Sequence, residues 1–195
     1  MNIRQELCEE QRLISLALRT TLPFSFAAIG QVWALWVLNI PLQFGWPFGL
    51  LAFALGVIAV ADAKQKLLPL STVAAVGLIG VALNLHATTP WWQIAAGGGL
   101  AWLGTLLVGV LGSHFAGRAA LGAGDVWLAG ALGLVLGLYG LAPWLLAVAV
   151  VGGAQVFWLL AHKARGQAIP FAPALLFGAW LALLYGDVYY RILLP

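Results

Sequence analysis

The sequence predicts an all-α fold: a polytopic membrane protein with about seven transmembrane helices and an N-terminal amphipathic helix. Three observations carry that prediction. The 195 residues are 63% hydrophobic and only 8% charged, with a mean hydropathy of +1.00. A soluble domain is about one quarter charged, so this chain cannot cover a water-facing surface. Its apolar residues come in long stretches divided by charges, prolines and polar clusters, as membrane spans do. Its basic residues cluster at alternate boundaries of those stretches, as the positive-inside rule requires.

The elements follow in order. Residues 3–19 read as an amphipathic helix on the membrane surface, with Ile3, Leu7, Ile14 and Leu18 near one face and Arg4, Glu9, Arg12 and Ser15 elsewhere. Residues 1–21 are assigned as a cytoplasmic amphipathic segment and 22–195 as the transmembrane domain. Met1 to Arg12 carries five charged side chains at Arg4, Glu6, Glu9, Glu10 and Arg12, and is read as no signal peptide. Seven apolar stretches follow: Phe24–Ile40, Trp46–Ala61, Leu70–His86, Trp91–Ser113, Val126–Tyr139, Pro143–Ala161 and Phe171–Gly186. Several are shorter than the roughly 20 residues of a full span, which suggests a thinned bilayer or helices shielded by neighbours. Gly133-x-x-x-Gly137 offers a surface on which two helices can approach closely, and Asn84 is expected to bond between helices.

Seven alternating spans put Arg4, Arg12, Arg19, Lys64, Lys66, Arg118, Lys163 and Arg165 on one side, leaving Arg191 on the other. The eight-charge side is therefore expected to be cytoplasmic, with the N-terminus inside a bacterial inner membrane. Lys64, Lys66, Lys163 and Arg165 read as anchors that snorkel to headgroups, with a substrate role for Lys64 and Lys66 as the alternative. The net charge of +3 reports this orientation and not affinity for nucleic acid. The single cysteine, Cys8, forms no internal disulfide and no CxxC pair. His86, His114 and His162 are dispersed at span ends without metal-ligand spacing, and several tryptophans, among them Trp46, Trp91, Trp92 and Trp144, fit an interfacial belt.

Chemistry concentrates in two residues. Between residues 11 and 186 the only acids are Asp62 and Asp125, each at the edge of an apolar stretch. Carboxylates at a membrane boundary are costly and mark function. The predicted topology brings both to the same end of the bundle. Two close carboxylates share one proton, so the ionised one can activate a water while the protonated one donates to a peptide carbonyl. Such a dyad hydrolyses a peptide bond without metal or cofactor. Gly122 and Gly124 lack Cβ atoms and let a substrate strand or the partner aspartate come close to Asp125.

The order of motifs adds to this. Asp62-Ala-Lys-Gln-Lys-Leu-Leu-Pro69 precedes the third stretch, Gly122-Ala-Gly-Asp125 opens the fifth, and Ile169-Pro170-Phe171-Ala-Pro173 opens the last. From about Ile14 to Asp187 the chain resembles the type IV prepilin peptidases, a GxGD-type aspartyl protease family. The resemblance implies cleavage of the leader from prepilins or pseudopilins at the cytoplasmic face, for type IV pili or type II secretion. It implies Asp62 and Asp125 as the catalytic pair, and Pro170, Phe171 and Pro173 as the segment that holds extended substrate near them. The chain resembles the short, peptidase-only form, since no N-terminal methyltransferase domain with CxxC pairs is present. It departs from the family at three places: Leu70 stands where the family often has Asp, Trp127 where it commonly has Lys, and Ala172 where it has Gly. Trp127, about 200° around a helix from Asp125, is expected to pack on a neighbouring helix or headgroups. Two other readings stay open: a catalytically silent relative that binds prepilins or assembly factors, and a proton-coupled transporter. The second is disfavoured because both acids lie at one boundary and no inverted repeat is visible.

Overall fold

The structure is a computed structural model that describes residues 3–20, 22–25, 28–29, 42–65, 68–116, 121–161 and 171–193. Its main elements are α1 (Ile3–Leu18), α2 (Leu42–Gln65), α3 (Leu70–His86), α4 (Trp91–Ala116), α5 (Ala123–Ala161) and α6 (Ala172–Leu193). No strand occurs among the described residues, so the all-α expectation holds. Two stretches, Trp91–His114 and Ala123–Gln155, are long and apolar enough to cross a membrane, while Trp46–Asp62, Leu70–His86 and Ala172–Leu183 are apolar but shorter. The expected span Phe24–Ile40 lies largely outside the described residues.

One expected boundary moves. Val126–Tyr139 and Pro143–Ala161 belong to a single element, α5, and the break falls at Gly137 and not between Tyr139 and Pro143. Gly137 has φ 62° and ψ −175°, a combination essentially restricted to glycine. The chain turns back there. Asp125, near the start of α5, follows Gly124, which meets Leu68 just after α2. Gln155, thirty residues later, shares a cavity with Leu55 and Ala59 of that same helix. A straight helix would hold Asp125 and Gln155 about 45 Å apart. Ala59 and Asp62 are less than one turn apart on α2, so α5 must fold back. A Cβ built on Gly140 would come 2.7 Å from that of Leu136, against roughly 5–6 Å between such positions in an unbroken helix. The first limb covers residues 123–136 and the second 138–161.

The neighbours fix the directions. Leu68, Gly77 and Gly80 lie in turn beside Gly124, Ala131 and Val135, so α3 runs parallel to the first limb. Gly97, Trp102 and Gly109 lie beside Gly133, Gly130 and Leu121, so α4 runs antiparallel to it. Phe171 meets Gly152 and Gly178 meets Val148, so α6 runs antiparallel to the second limb. The expected close approach at Gly133 is made against Gly97. A Cβ on Gly97 would come 2.6 Å from the Gly133 carbonyl oxygen, so neither position has room for a side chain.

The break leaves backbone carbonyls to satisfy. Leu134 and Val135 would bond residues 138 and 139 in an unbroken helix. Instead the Asn84 side-chain Nδ2 donates to the Leu134 carbonyl at 3.0 Å and the Val135 carbonyl at 2.8 Å, and to Gly80 of its own helix at 3.1 Å. The expected interhelical bond of Asn84 is therefore the bond that caps the first limb of α5. Below the break one core joins Leu51, Leu55 and Ile58 of α2, Val73 and Val76 of α3, and Leu128, Leu132 and Trp144 of α5 to Leu175 and Ala179 of α6. The indole of Trp144 donates to the Leu175 carbonyl at 3.1 Å.

α1 differs from expectation in its buried face. Leu13 and Ala17 turn inward, Ile14 is half-buried beside them, and Leu18 is 41% exposed. The reason is a protein partner: Ala17 packs on Val57 and Val60 of α2. Glu10 adds an anchor, its carboxylate accepting the backbone N–H of Ser71 in the first turn of α3, where a negative charge is favoured. The Ile3 and Leu7 side chains lie outside the described residues.

Replacing Gly137 by alanine forces a side chain onto a backbone conformation worth about 1–3 kcal/mol of strain, although its Cβ would meet only Asn84 Oδ1 at 3.7 Å. Asn84→Leu leaves two carbonyls without their donor, at about 1–3 kcal/mol each. Both variants are expected to lose stability, Asn84→Leu the more, in denaturation followed by circular dichroism in detergent. A Gly137→Ala protein as stable as wild type would contradict the hairpin.

Candidate active site

Asp62 belongs to the last turn of α2 and is only 5% exposed. The sequence folds that way because α2 is buried nearly all round between Leu51 and Asp62. Val57 and Val60 face α1, while Leu51, Leu55 and Ile58 face the main core. A helix held from both sides leaves its carboxylate little freedom. Asp125 is half-buried in the first turn of α5. Gly122, just before the helix, donates its N–H to Asp125 Oδ2 at 3.2 Å, and the Asp125 N–H donates to the Gly122 carbonyl at 3.1 Å. This is the reciprocal geometry of a helix cap, and it fixes the carboxylate by its own backbone. The two acids, 63 residues apart in sequence, are carried to the same end of the bundle.

The two glycines also make room within the fold. A Cβ on Gly122 would stand 3.2 Å from Asp125 Oδ2, so the empty space admits Asp125's own carboxylate. A Cβ on Gly124 would stand 2.9 Å from Leu68. The close approach that Gly124 permits is thus by the connection between α2 and α3, whose Pro69 is fully buried next to it. That contact carries the end of the Asp62 loop onto the start of the Asp125 helix.

Of the other expected residues, Phe171 is half-buried against the core and starts α6, accepting the N–H groups of Ala174 and Leu175 at 3.0 and 3.3 Å. Pro173 lines a cavity of about 350 Å³ with Leu55 and Ala59 of α2, Val151 and Gln155 of α5, and Leu176, Phe177 and Trp180 of α6. Leu55, Ala59 and Asp62 follow one another at helical spacing, so this cavity runs along the Asp62 face of α2. Pro170 and Lys66 lie outside the described residues, as does the side chain of Lys64. Gln155 is the residue the sequence reading missed. Its signal was there: it is the lone amide in the apolar stretch Pro143–Ala161, and polar groups inside apolar spans mark function.

Two of the three departures fall together. Leu70 and Trp127 line one apolar groove of about 550 Å³ between α3, α4 and α5, with Trp102. Trp127 is 54% exposed, and its ring lies 5.9 Å from that of Trp102 at 53°. It packs on a neighbouring helix, as its position two residues after Asp125 requires. Ala172, the third departure, is fully buried.

Comparison with known proteins agrees with this arrangement. Residues 49–157 match the type IV leader peptidase family. The prepilin leader peptidase/N-methyltransferase of Xanthomonas campestris pv. campestris is 30% identical over 152 residues, covering 74% of this chain and 52% of that protein. The chain thus spans about half the length of the curated relative it matches. No solved structure matches it. With a match over more than half its length, embracing both Asp62 and Asp125, the chain belongs to the type IV leader peptidase family.

Proposed function

We propose that this chain is a membrane aspartyl endopeptidase that cuts the leader from type IV prepilins or pseudopilins at the cytoplasmic face of the inner membrane. The observation that carries the reading is that Asp62, buried in the last turn of α2, and Asp125, in the first turn of α5, are brought to one end of the bundle by the approach of Leu68 to Gly124, and are the only acids between residues 11 and 186. On this reading the ionised carboxylate takes a proton from a water, and the water oxygen attacks the scissile carbonyl carbon. The protonated carboxyl hydrogen-bonds and then protonates the carbonyl oxygen. Collapse of the tetrahedral intermediate breaks the C–N bond, and the leaving amine takes up a proton. One water is consumed, and no metal or cofactor enters.

The membrane arrangement is part of the proposal. Seven spans, the first of them Phe24–Ile40, place the eight-charge side and the dyad in the cytoplasm. Pro170, Phe171 and Pro173 then hold extended substrate beside Asp62. Support comes from the Pro173 cavity on the Asp62 face of α2. Lys64 and Lys66 follow Asp62 directly in sequence and would flank an arriving leader. Leu70 and Trp127 line a shared groove, so the missing charges of the family pattern lie to one side of the carboxylates, which favours an active enzyme over a silent relative.

Asp62→Asn and Asp125→Asn are each expected to leave no measurable cleavage of a prepilin leader peptide in detergent, while circular dichroism still reports a helical protein. Near-normal turnover by either variant would sink the aspartyl mechanism. Trp127→Lys is expected to change cleavage by less than roughly tenfold, about 1.4 kcal/mol; a far larger gain would mark the chain as an impaired enzyme. For orientation, the exposed Cys8 should resist an impermeant thiol reagent in intact cells and react after lysis. In a Cys8→Ser background, a cysteine replacing the exposed Thr88 should react in intact cells. The reverse pattern would overturn the orientation.

A further inference from the structure

The cavity between α2, the second limb of α5 and α6 holds a buried polar atom that no described residue pairs. The side-chain oxygen Oε1 of Gln155 is buried and has no hydrogen-bond partner among the described residues. Around it lie Leu55, Ala59, Val151, Leu176 and Phe177, with Pro173 and the indole of Trp180. A buried amide oxygen without a donor is costly, and structures keep such groups where something outside the fold completes them. Pro173 cannot supply a donor, because proline has no N–H. The cavity follows the face of α2 that ends in Asp62, and Ala59 lies less than one helical turn from that acid.

We infer that Gln155 is a substrate-binding residue: its side-chain oxygen accepts a hydrogen bond from a backbone N–H of an extended peptide that enters along the Pro173 side of Asp62. The inference rests on the peptidase reading and deepens it by naming a contact to the substrate backbone. The occupant is a polypeptide in extended form for two reasons. The cavity runs along the face of α2 that ends in Asp62, one of the two acids of the peptidase reading. The atom left unpaired there, Gln155 Oε1, is an acceptor, so it calls for the N–H that every non-proline residue of a peptide carries. A lipid chain would fill the same volume and leave the oxygen unpaired. A contact of this kind fixes the register of the bound chain and takes nothing from its side chains, so it serves substrates that share a cut position and differ in sequence.

The test pairs Gln155→Leu with a set of leader peptides, each N-methylated at one backbone amide near the cut. In the wild type, one N-methyl position is expected to raise KM about tenfold. Gln155→Leu is expected to raise KM for the unmodified peptide by a similar factor, to leave kcat within about twofold, and to be indifferent to that one methyl group. Equal methyl penalties in both proteins, or wild-type KM in Gln155→Leu, would overturn the inference. Thermal melting of the peptide-free proteins gives an independent reading: Gln155→Leu should melt at or above the wild-type temperature, whereas a clear fall would mean that the oxygen is bonded within the fold and the inference is wrong. Fluorescence anisotropy of the same labelled peptides separates this claim from the peptidase reading. Binding that depends on Gln155 without any cleavage would refute the peptidase alone, and binding indifferent to Gln155 would refute the contact whether or not the chain cuts.

Discussion

The lower end of this bundle depends on the chain turning round at Gly137. Without that reversal the second limb of α5 would run on, away from Asp62, and neither Gln155 nor the start of α6 would reach the end of the bundle that carries Asp62 and Asp125. The reversal is possible because one residue lacks a Cβ, and it holds because one amide, on Asn84, takes over the two carbonyls that the break exposes. Gly97 and Gly133 then let α4 lie directly on the first limb, giving the turn a firm support. A glycine, an amide and a pair of small contacts thus govern what happens half a bundle away.

The two acids are held by different means. Asp62 gains its position from packing, on a helix enclosed from both sides. Asp125 gains its position from its own backbone, through the bond with Gly122. A core substitution in α2 would therefore disturb one acid and spare the other. The groove that carries Leu70 and Trp127 lies along α3, α4 and α5, and the Gln155 cavity lies along α2 and α6. The two share no lining residue, so a change in the first leaves the second unchanged.

Much of this was legible in the sequence, and the limits have physical causes. Composition alone predicts an all-helical apolar bundle. The isolation of Asp62 and Asp125, with topology, predicts that they meet. The interhelical role of Asn84 follows from a lone amide in an apolar stretch, and the outward packing of Trp127 follows from helical angle. The turn at Gly137 was not legible. The stretch Gly130–Gly140 contains four glycines, and nothing in the letters says which adopts a positive φ. Proline drew the boundary to Pro143, yet Pro143 is buried inside the second limb. The buried face of α1 was misplaced because amphipathicity identifies an apolar side without naming its partner, and small Ala17 carries little weight beside Leu18. Gln155 escaped because its importance comes from α2 lying opposite, a fact of tertiary structure.

The contact between Gly124 and Leu68 has a consequence for how such chains can change. Leu68 is seated on the start of the Asp125 helix, and Asp62 ends a helix that cannot slide. The connection between them therefore has both of its ends held. Its length is the constrained quantity, because one residue gained or lost would either lift Leu68 from its glycine seat or rotate Asp62 away from Asp125. Descendants of this sequence should thus purge insertions and deletions between Asp62 and Leu68, so that this short connection keeps its length.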